Sequence, residues 1–203
     1  MNRRLTLAVI AAVTLAACAS SRPTRYYTLD PIQPVTIASY QPVGTPIVID
    51  KVILPATLDR PQIVRRVSAN RLDIDETDRW PAPLDEIVQR VLAEDLASRM
   101  TAGIVILPGQ PLPSGAVRRI YVDVAMFEGD LSGHVALRAR WTIEAGDAAA
   151  PSVSHDAHDE YITVDAGSGT PDALAAAMSR ALGELGDRMA STLAVPPAPP
   201  KKG

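Results

Sequence analysis

From Arg119 to Glu144 apolar and polar residues alternate with a period of two, broken at Gly129–Gly133. That period places Ile120, Val122, Val124 and Met126 on one face of an extended chain. In the second run Val135, Leu137, Ala139, Trp141 and Ile143 face one way, and Arg138, Arg140, Thr142 and Glu144 the other. Two such runs about a glycine-bounded turn predict an antiparallel hairpin with one buried face. Something else in the chain must cover that face. Two segments carry apolar stripes at helical spacing: Leu84, Ile87, Val88, Val91, Leu92, Leu96 and Met100, and then Leu174, Met178, Ala181, Leu182, Leu185, Met189 and Leu193. Pro83 suits the first position of the first helix, with Asp85 and Glu86 at its positive end and Gly103 closing it. Thr170-Pro171-Asp172 starts the second. Gly183 and Gly186 cost helix propensity, which predicts a close backbone approach there.

The other strands are shorter. Tyr26–Leu29 reads as the first, followed by an extended, proline-bearing segment from Asp30 to Pro46. Ile47–Leu54 is nearly all apolar and predicts a central strand covered on both faces. Ile63–Ser68 and Arg71–Asp75 predict a hairpin about Ala69-Asn70, with Asn70 tolerating a positive φ. Ile104–Leu107 is a short strand and Ser152–Val164 the returning one. The expected architecture is α+β, a single domain over residues 26–195, with one twisted mixed or antiparallel sheet and two amphipathic helices packed on one face.

The N-terminus is separate from that domain. Arg3 and Arg4 precede a 13-residue run, Leu5 to Ala17, apolar except for Thr6 and Thr14. A helix of this length cannot cross a hydrocarbon core of ~30 Å, but it fits the apolar region of a signal peptide. Leu15-Ala16-Ala17-Cys18 resembles the bacterial lipobox. In that motif the cysteine takes a diacylglyceryl group, the chain is cut before it, and the new amino terminus is acylated. The expected boundaries are a signal peptide over 1–17, cleaved between Ala17 and Cys18, a lipidated cysteine and tether over 18–25, and a proline-rich disordered tail over 196–203. Acyl chains contribute ~0.8 kcal/mol per buried CH₂, so a multiply acylated cysteine holds its membrane stably. Ala19, not aspartate, follows the cysteine. In a Gram-negative cell this favours the outer membrane, with the domain on the periplasmic face.

Composition narrows the function. The net charge is −3, and Arg3 and Arg4 leave with the signal, so the exported part is more acidic still. Without a basic cluster, nucleic acid is not an expected partner. Cys18 is the chain's one cysteine, so lipidation leaves no thiol nucleophile and no disulfide. Gly167-Ser168-Gly169 lacks the strand–turn–helix serine elbow, and no glycine-rich phosphate loop is present. The chain is therefore read as not an enzyme, with no catalytic residues, no cofactor and no metal. His155 and His158, with Asp156, Asp159 and Glu160, invite a metal reading. At this spacing a strand points the two imidazoles to opposite faces, and a solvated polar turn fits better. His134 stands at a loop edge with no evident partner, and Trp141 reads as core. Leu58, Arg60, Pro61, Arg79 and Trp80 flank strands in loops and are the candidate partner-binding residues, since arginine and tryptophan are favoured interface anchors. The competing reading packs Trp80 under the first helix and pairs Arg79 with a nearby acid.

Several segments together resemble one family. They are Tyr26-Tyr27-Thr28-Leu29, Leu54-Pro55, the run Leu58-Asp59-Arg60-Pro61-Gln62-Ile63-Val64, Asn70-Arg71-Leu72, Arg79-Trp80, Pro83-Leu84 and the helix segment Arg90–Leu96. Phe127-Glu128 and Trp141 in the later hairpin match as well. In order and spacing they resemble the ABC-type transport auxiliary lipoproteins, the paraquat-inducible protein C-like group, across nearly the whole mature chain. Ala56-Thr57 departs from the pattern, where an aromatic residue is expected. The resemblance implies a non-catalytic, lipid-anchored, homo-oligomeric partner of a periplasmic MCE-domain protein. That protein works with inner-membrane transporter components to move lipids across the envelope. The alternative is a carrier, in which the domain itself shields a lipid chain in an apolar pocket.

Overall fold

The structure, a computed structural model, describes residues 22–34, 45–100, 105–147 and 150–194, with no side chain described between 145 and 156. The chain runs β1 (Arg25–Tyr26), β2 (Ile47–Ile53), β3 (Gln62–Ser68), β4 (Arg71–Arg79), α1 (Leu84–Arg99), β5 (Val105–Ile106), β6 (Val117–Asp130), β7 (His134–Asp147), β8 (Ala150–Asp165) and α2 (Pro171–Ala194). All eight strands form one mixed sheet. Its spine is the β6–β7–β8 meander, antiparallel throughout. The other edge of β6 is shared. β2 pairs along Arg118–Asp123 and β3 at Gly129–Asp130, both parallel to β6. β4 pairs antiparallel to β3, and β1 and β5 add short parallel pairings at the margins.

Both helices lie on one face, as their apolar stripes require. Every stripe residue is buried, from Leu84 to Met100 on α1 and from Leu174 to Leu193 on α2. They close over Ile47, Ile49, Ile120, Val122, Leu137, Ala139 and Trp141 in one continuous core. The opposite face carries cross-strand pairs such as Arg140–Asp159 at 2.8 Å and Arg119–Asp50 at 2.9 Å, and a small separate buried cluster of Val48, Ile106 and Val117.

The structure corrects several expectations. β2 is covered along its length on one face only: Lys51 and Ile53 are exposed, because both helices pack on the same side. In β6 the alternation slips at Ala125. Val124 faces Ala139, Met126 faces Arg138, and Phe127 faces Leu137, so one extra residue is bulged out. Phe127 therefore takes the core position expected of Met126, at 1% exposure. The β3–β4 turn closes without a positive φ at Asn70, because an irregular register between Arg66 and Ser68 supplies the bend. β4 runs on to Arg79 since its second half pairs with β1. Pro83 caps α1 from outside the helix, with an extended ψ of 132°, and the helix ends at Arg99 with Met100 extended, ahead of Gly103. The first strand stops at Tyr26 because Leu29 turns into the core, where it is 0% exposed.

Beyond Leu29 the chain crosses the two helices as a strap. Arg90 donates to the Leu29 carbonyl at 3.1 Å, the Asp30 amide donates to Ser179 Oγ at 3.2 Å, and the Ile32 amide donates to Asp95 Oδ1 at 2.7 Å. Arg99 ties the crossing together, donating to the Ile32 carbonyl at 3.0 Å, to Asp95 Oδ1 at 3.1 Å and to Asp187 Oδ1 at 2.6 Å. Gly183 and Gly186 make room for this, as the sequence implied. A Cβ at Gly183 would stand 2.9 Å from Ile32 Cβ, and one at Gly186 would stand 3.2 Å from Asp95 Cβ. Burial raises the Asp95 carboxyl to about 6, against the opposing pull of the Ile32 amide and Arg99.

The signal segment, Cys18 and the proline-rich tail lie outside the described residues. Among the described residues no helix is long and apolar enough to cross a membrane.

Candidate functional site

The β2–β3 loop and the β4–α1 connection meet at one corner of the domain. Proline dictates the local shape. Pro55 ends the β2 region, and the following turn closes by Leu58 N–H donating to the Pro55 carbonyl at 2.8 Å and Arg60 N–H to the Leu58 carbonyl at 2.8 Å. Pro81 and Pro83 hold the second segment out of helix until Leu84. The two segments are joined where the Trp80 amide donates to the Pro61 carbonyl at 2.7 Å.

Between them lies an open cleft of about 360 Å³ lined by Asp59, Arg60, Pro61, Trp80, Pro81, Ala82 and Pro83. A second, of about 520 Å³, lies across Ala82 and is lined by Glu86, Ile87, Gln89, Arg90 and Pro108. Together they flank the N-terminus of α1. The prolines make the rim stiff, so a partner would meet a preformed surface and lose little ordering entropy on binding. Arg60 contributes the chemistry: its Nε is buried and has no hydrogen-bond partner among the described residues. Arg60 as a whole is half-buried and lines the cleft, so its charge meets whatever enters, and arginine pairs well with a carboxylate or carbonyl oxygen.

Of the five candidate partner-binding residues, the structure gathers Arg60, Pro61 and Trp80 into the first cleft. Leu58 and Trp80 are core side chains, each 4% exposed, so Leu58 shapes the loop from beneath and Trp80 forms the cleft floor. Arg79 points away and is tied to Glu76 through its carbonyl at 2.9 Å and its carboxylate at 3.4 Å.

The remaining polar candidates resolve otherwise. Residues 155–160 lie within β8, not in a solvated turn: 157–160 pair with β7, while His155 and Asp156 fall in an irregular stretch before the ladder resumes at Val153 opposite Glu144. His158 stacks on Trp141 with ring centroids 4.2 Å apart and planes 21° apart. Glu160 accepts from Arg188 of α2 at 2.7 Å, and Asp159 pairs with Arg140 on the opposite face. The side chain of His155 lies outside those described. His134 has a partner after all: Nδ1 stands 3.5 Å from Asp130 Oδ2, and amides from His134 and Ser132 hold the Asp130 carboxyl below the usual range. Sequence reasoning missed the Asp95–Arg99–Asp187 group beneath the strap. The signal was present in an Asp-Arg pair at i,i+4 facing two glycines at i,i+3.

Comparison with known proteins follows the same lines. A family model described as the ABC-type transport auxiliary lipoprotein component matches residues 27–190. The chain is 28% identical over 138 residues to the intermembrane transport lipoprotein PqiC of Escherichia coli (strain K12), covering 68% of this chain and 72% of that one. The PqiC of Shigella flexneri matches to the same extent. Among solved structures, one of an uncharacterized protein superposes with a TM-score of 0.65 at 16% identity, over 85% of this chain and 99% of that chain. Another, from Xanthomonas campestris, gives 0.62 at 17% identity, over 83% and 95%. These two share the fold, with the sheet and two helices on one face. The match begins directly after β1 and ends within α2, and by it the chain belongs to the ABC-type transport auxiliary lipoprotein family.

Proposed function

We propose that this protein is a non-catalytic, lipid-anchored component of an envelope lipid-transport system. Cys18 carries the lipid at the periplasmic face of the outer membrane, and the domain docks a periplasmic MCE-domain protein that works with inner-membrane transporter components. The observation that carries the docking reading is the rigid, proline-walled cleft lined by Arg60 and Trp80. Membership of an auxiliary transport family supports a role in a multi-component system.

The experiment is a copurification from gently solubilised native membranes, with the tag at the C-terminus. Recovery of an MCE-domain protein by the wild type, and its loss with Arg60→Ala, is the expected result. Recovery of the lipoprotein alone, bearing a stoichiometric phospholipid in its mass spectrum, would instead establish the carrier reading.

A further inference from the structure

Strand direction fixes which end of the domain the anchor leaves from. β1 runs parallel to β4, with Arg25 opposite Asp78 and Tyr26 opposite Arg79. Following that register backwards puts Arg22 beside Asp75, and the two interact electrostatically. Cys18 precedes Arg22 by four residues, a span of at most ~14 Å even when fully extended. From Asp75 the strand needs ~13 Å to reach its start at Arg71, and ~17 Å in the other direction to reach Trp80. Cys18 is thus within reach of the β3–β4 turn, which lies at the opposite end of β4 from Trp80.

Three loops gather at the end where that turn lies. Arg66 pairs with Asp130 across β3 and β6, so the β3–β4 and β6–β7 turns stand side by side. The 166–170 loop packs behind them, with the Ala166 amide donating to the Gly133 carbonyl at 2.7 Å. The turns are stiff. Arg66 donates to the carbonyls of Ser68 and Ala69 at 3.3 and 3.0 Å, and Asp130 Oδ1 accepts from the amides of Ser132 and His134 at 2.8 and 2.9 Å. At the tip of the second turn Leu131 is 52% exposed, and Arg71 is exposed at the first. An exposed apolar side chain on one stiff turn and an exposed cation on the neighbouring turn suit the boundary between headgroups and acyl chains.

Resting on the proposed lipidation of Cys18, we infer that this three-loop end is a second membrane contact. Leu131 enters the lipid surface, Arg71 sits among the phosphates, and the Trp80 cleft faces away from the bilayer. A span of at most ~14 Å between Cys18 and Arg22 keeps the domain close to the surface.

Leu112, 47% exposed, serves as the opposite pole. It lies in the loop that leads into the start of β6, a strand of 14 residues from Leu131's end, ~45 Å away along the sheet. The processed full-length lipoprotein and its Leu131→Trp and Leu112→Trp variants are placed in phosphatidylethanolamine–phosphatidylglycerol vesicles. The vesicles are made with and without a phosphatidylcholine brominated high on its acyl chains, and tryptophan fluorescence is read. The expected result is that bromination removes at least half of the emission added by Leu131→Trp and leaves Leu112→Trp and the wild type unchanged. No quenching of Leu131→Trp, or equal quenching of both variants, overturns the inference. Intact mass reports acylation separately. If Cys18 proves unacylated, the anchor reading fails, and coupling its thiol to a maleimide lipid in the same vesicles reads the same contrast on orientation.

Discussion

Replacing Asp95 by asparagine should change how stability depends on pH, in a direction opposite to that of most carboxylates. Asp95 is 0% exposed, and its folded-state carboxyl is raised from 3.8 to about 6, chiefly by burial. The unfolded chain gives up this proton near its ordinary value, while the folded domain holds it about two units longer. Ionised Asp95 therefore costs stability, and the cost is relieved as pH falls through about 6. At 1.36 kcal/mol per unit the full penalty is about 3 kcal/mol above pH 7, and about 2 kcal/mol of it is gone by pH 4.5. Asp95→Asn keeps an oxygen to accept from the Ile32 amide and Arg99 but cannot ionise. The stability difference between wild type and variant should shift by about 2 kcal/mol between pH 7.5 and 4.5, moving in the wild type's favour as pH falls. Urea denaturation at a series of pH values measures it, and the difference cancels the titration of every other carboxylate. A difference that stays flat with pH, or that moves the other way, would refute the argument that desolvation outweighs Arg99 at this site.

Three further outcomes follow from the packing and the N-terminus. Phe127→Ala should cost about 3–5 kcal/mol in chemical denaturation, while Met126→Ala should cost under about 1 kcal/mol; equal losses would contradict the bulge at Ala125. Gly183→Val should destabilise by about 1–3 kcal/mol through overpacking against Ile32, and amide exchange at Ile32 should rise more than at Ile120; unchanged exchange at Ile32 would remove the strap from the account. Cys18→Ser should leave the circular dichroism spectrum as it is and abolish incorporation of labelled palmitate, and continued labelling would place the lipid elsewhere.

Much of the fold was legible because burial in it is periodic. The alternating runs about Gly129–Gly133 and the two helical stripes define a sheet and its cover, and Gly183 and Gly186 pointed to the close crossing that Ile32 and Asp95 occupy. What the pattern hid has physical causes. A bulge inserts a residue without changing composition, so Met126 and Phe127 could not be told apart by period. Glu76, Thr77 and Asp78 look like a loop, yet they continue β4 because Arg25 of β1 and Tyr27 just after it bind Asp78. Asp95 and Arg99 look like the solvated side of a helix and are instead buried by the strap and α2, a contact between segments far apart in sequence. At the cleft, sequence could nominate Arg60, Pro61 and Trp80 by residue type. Which of the candidates face outward was decided by Pro61 accepting from the Trp80 amide, a pairing only the fold creates.

In the proposed function this surface docks a protein partner. The most direct measurement compares wild type and Arg60→Glu, both tagged at the C-terminus, in captures from native membranes, with circular dichroism of each as the control for folding. The expected result is an MCE-domain protein with the wild type and at least a tenfold loss of it with the folded variant. Equal recovery with both proteins would contradict the assignment of the Arg60–Trp80 cleft as the docking site.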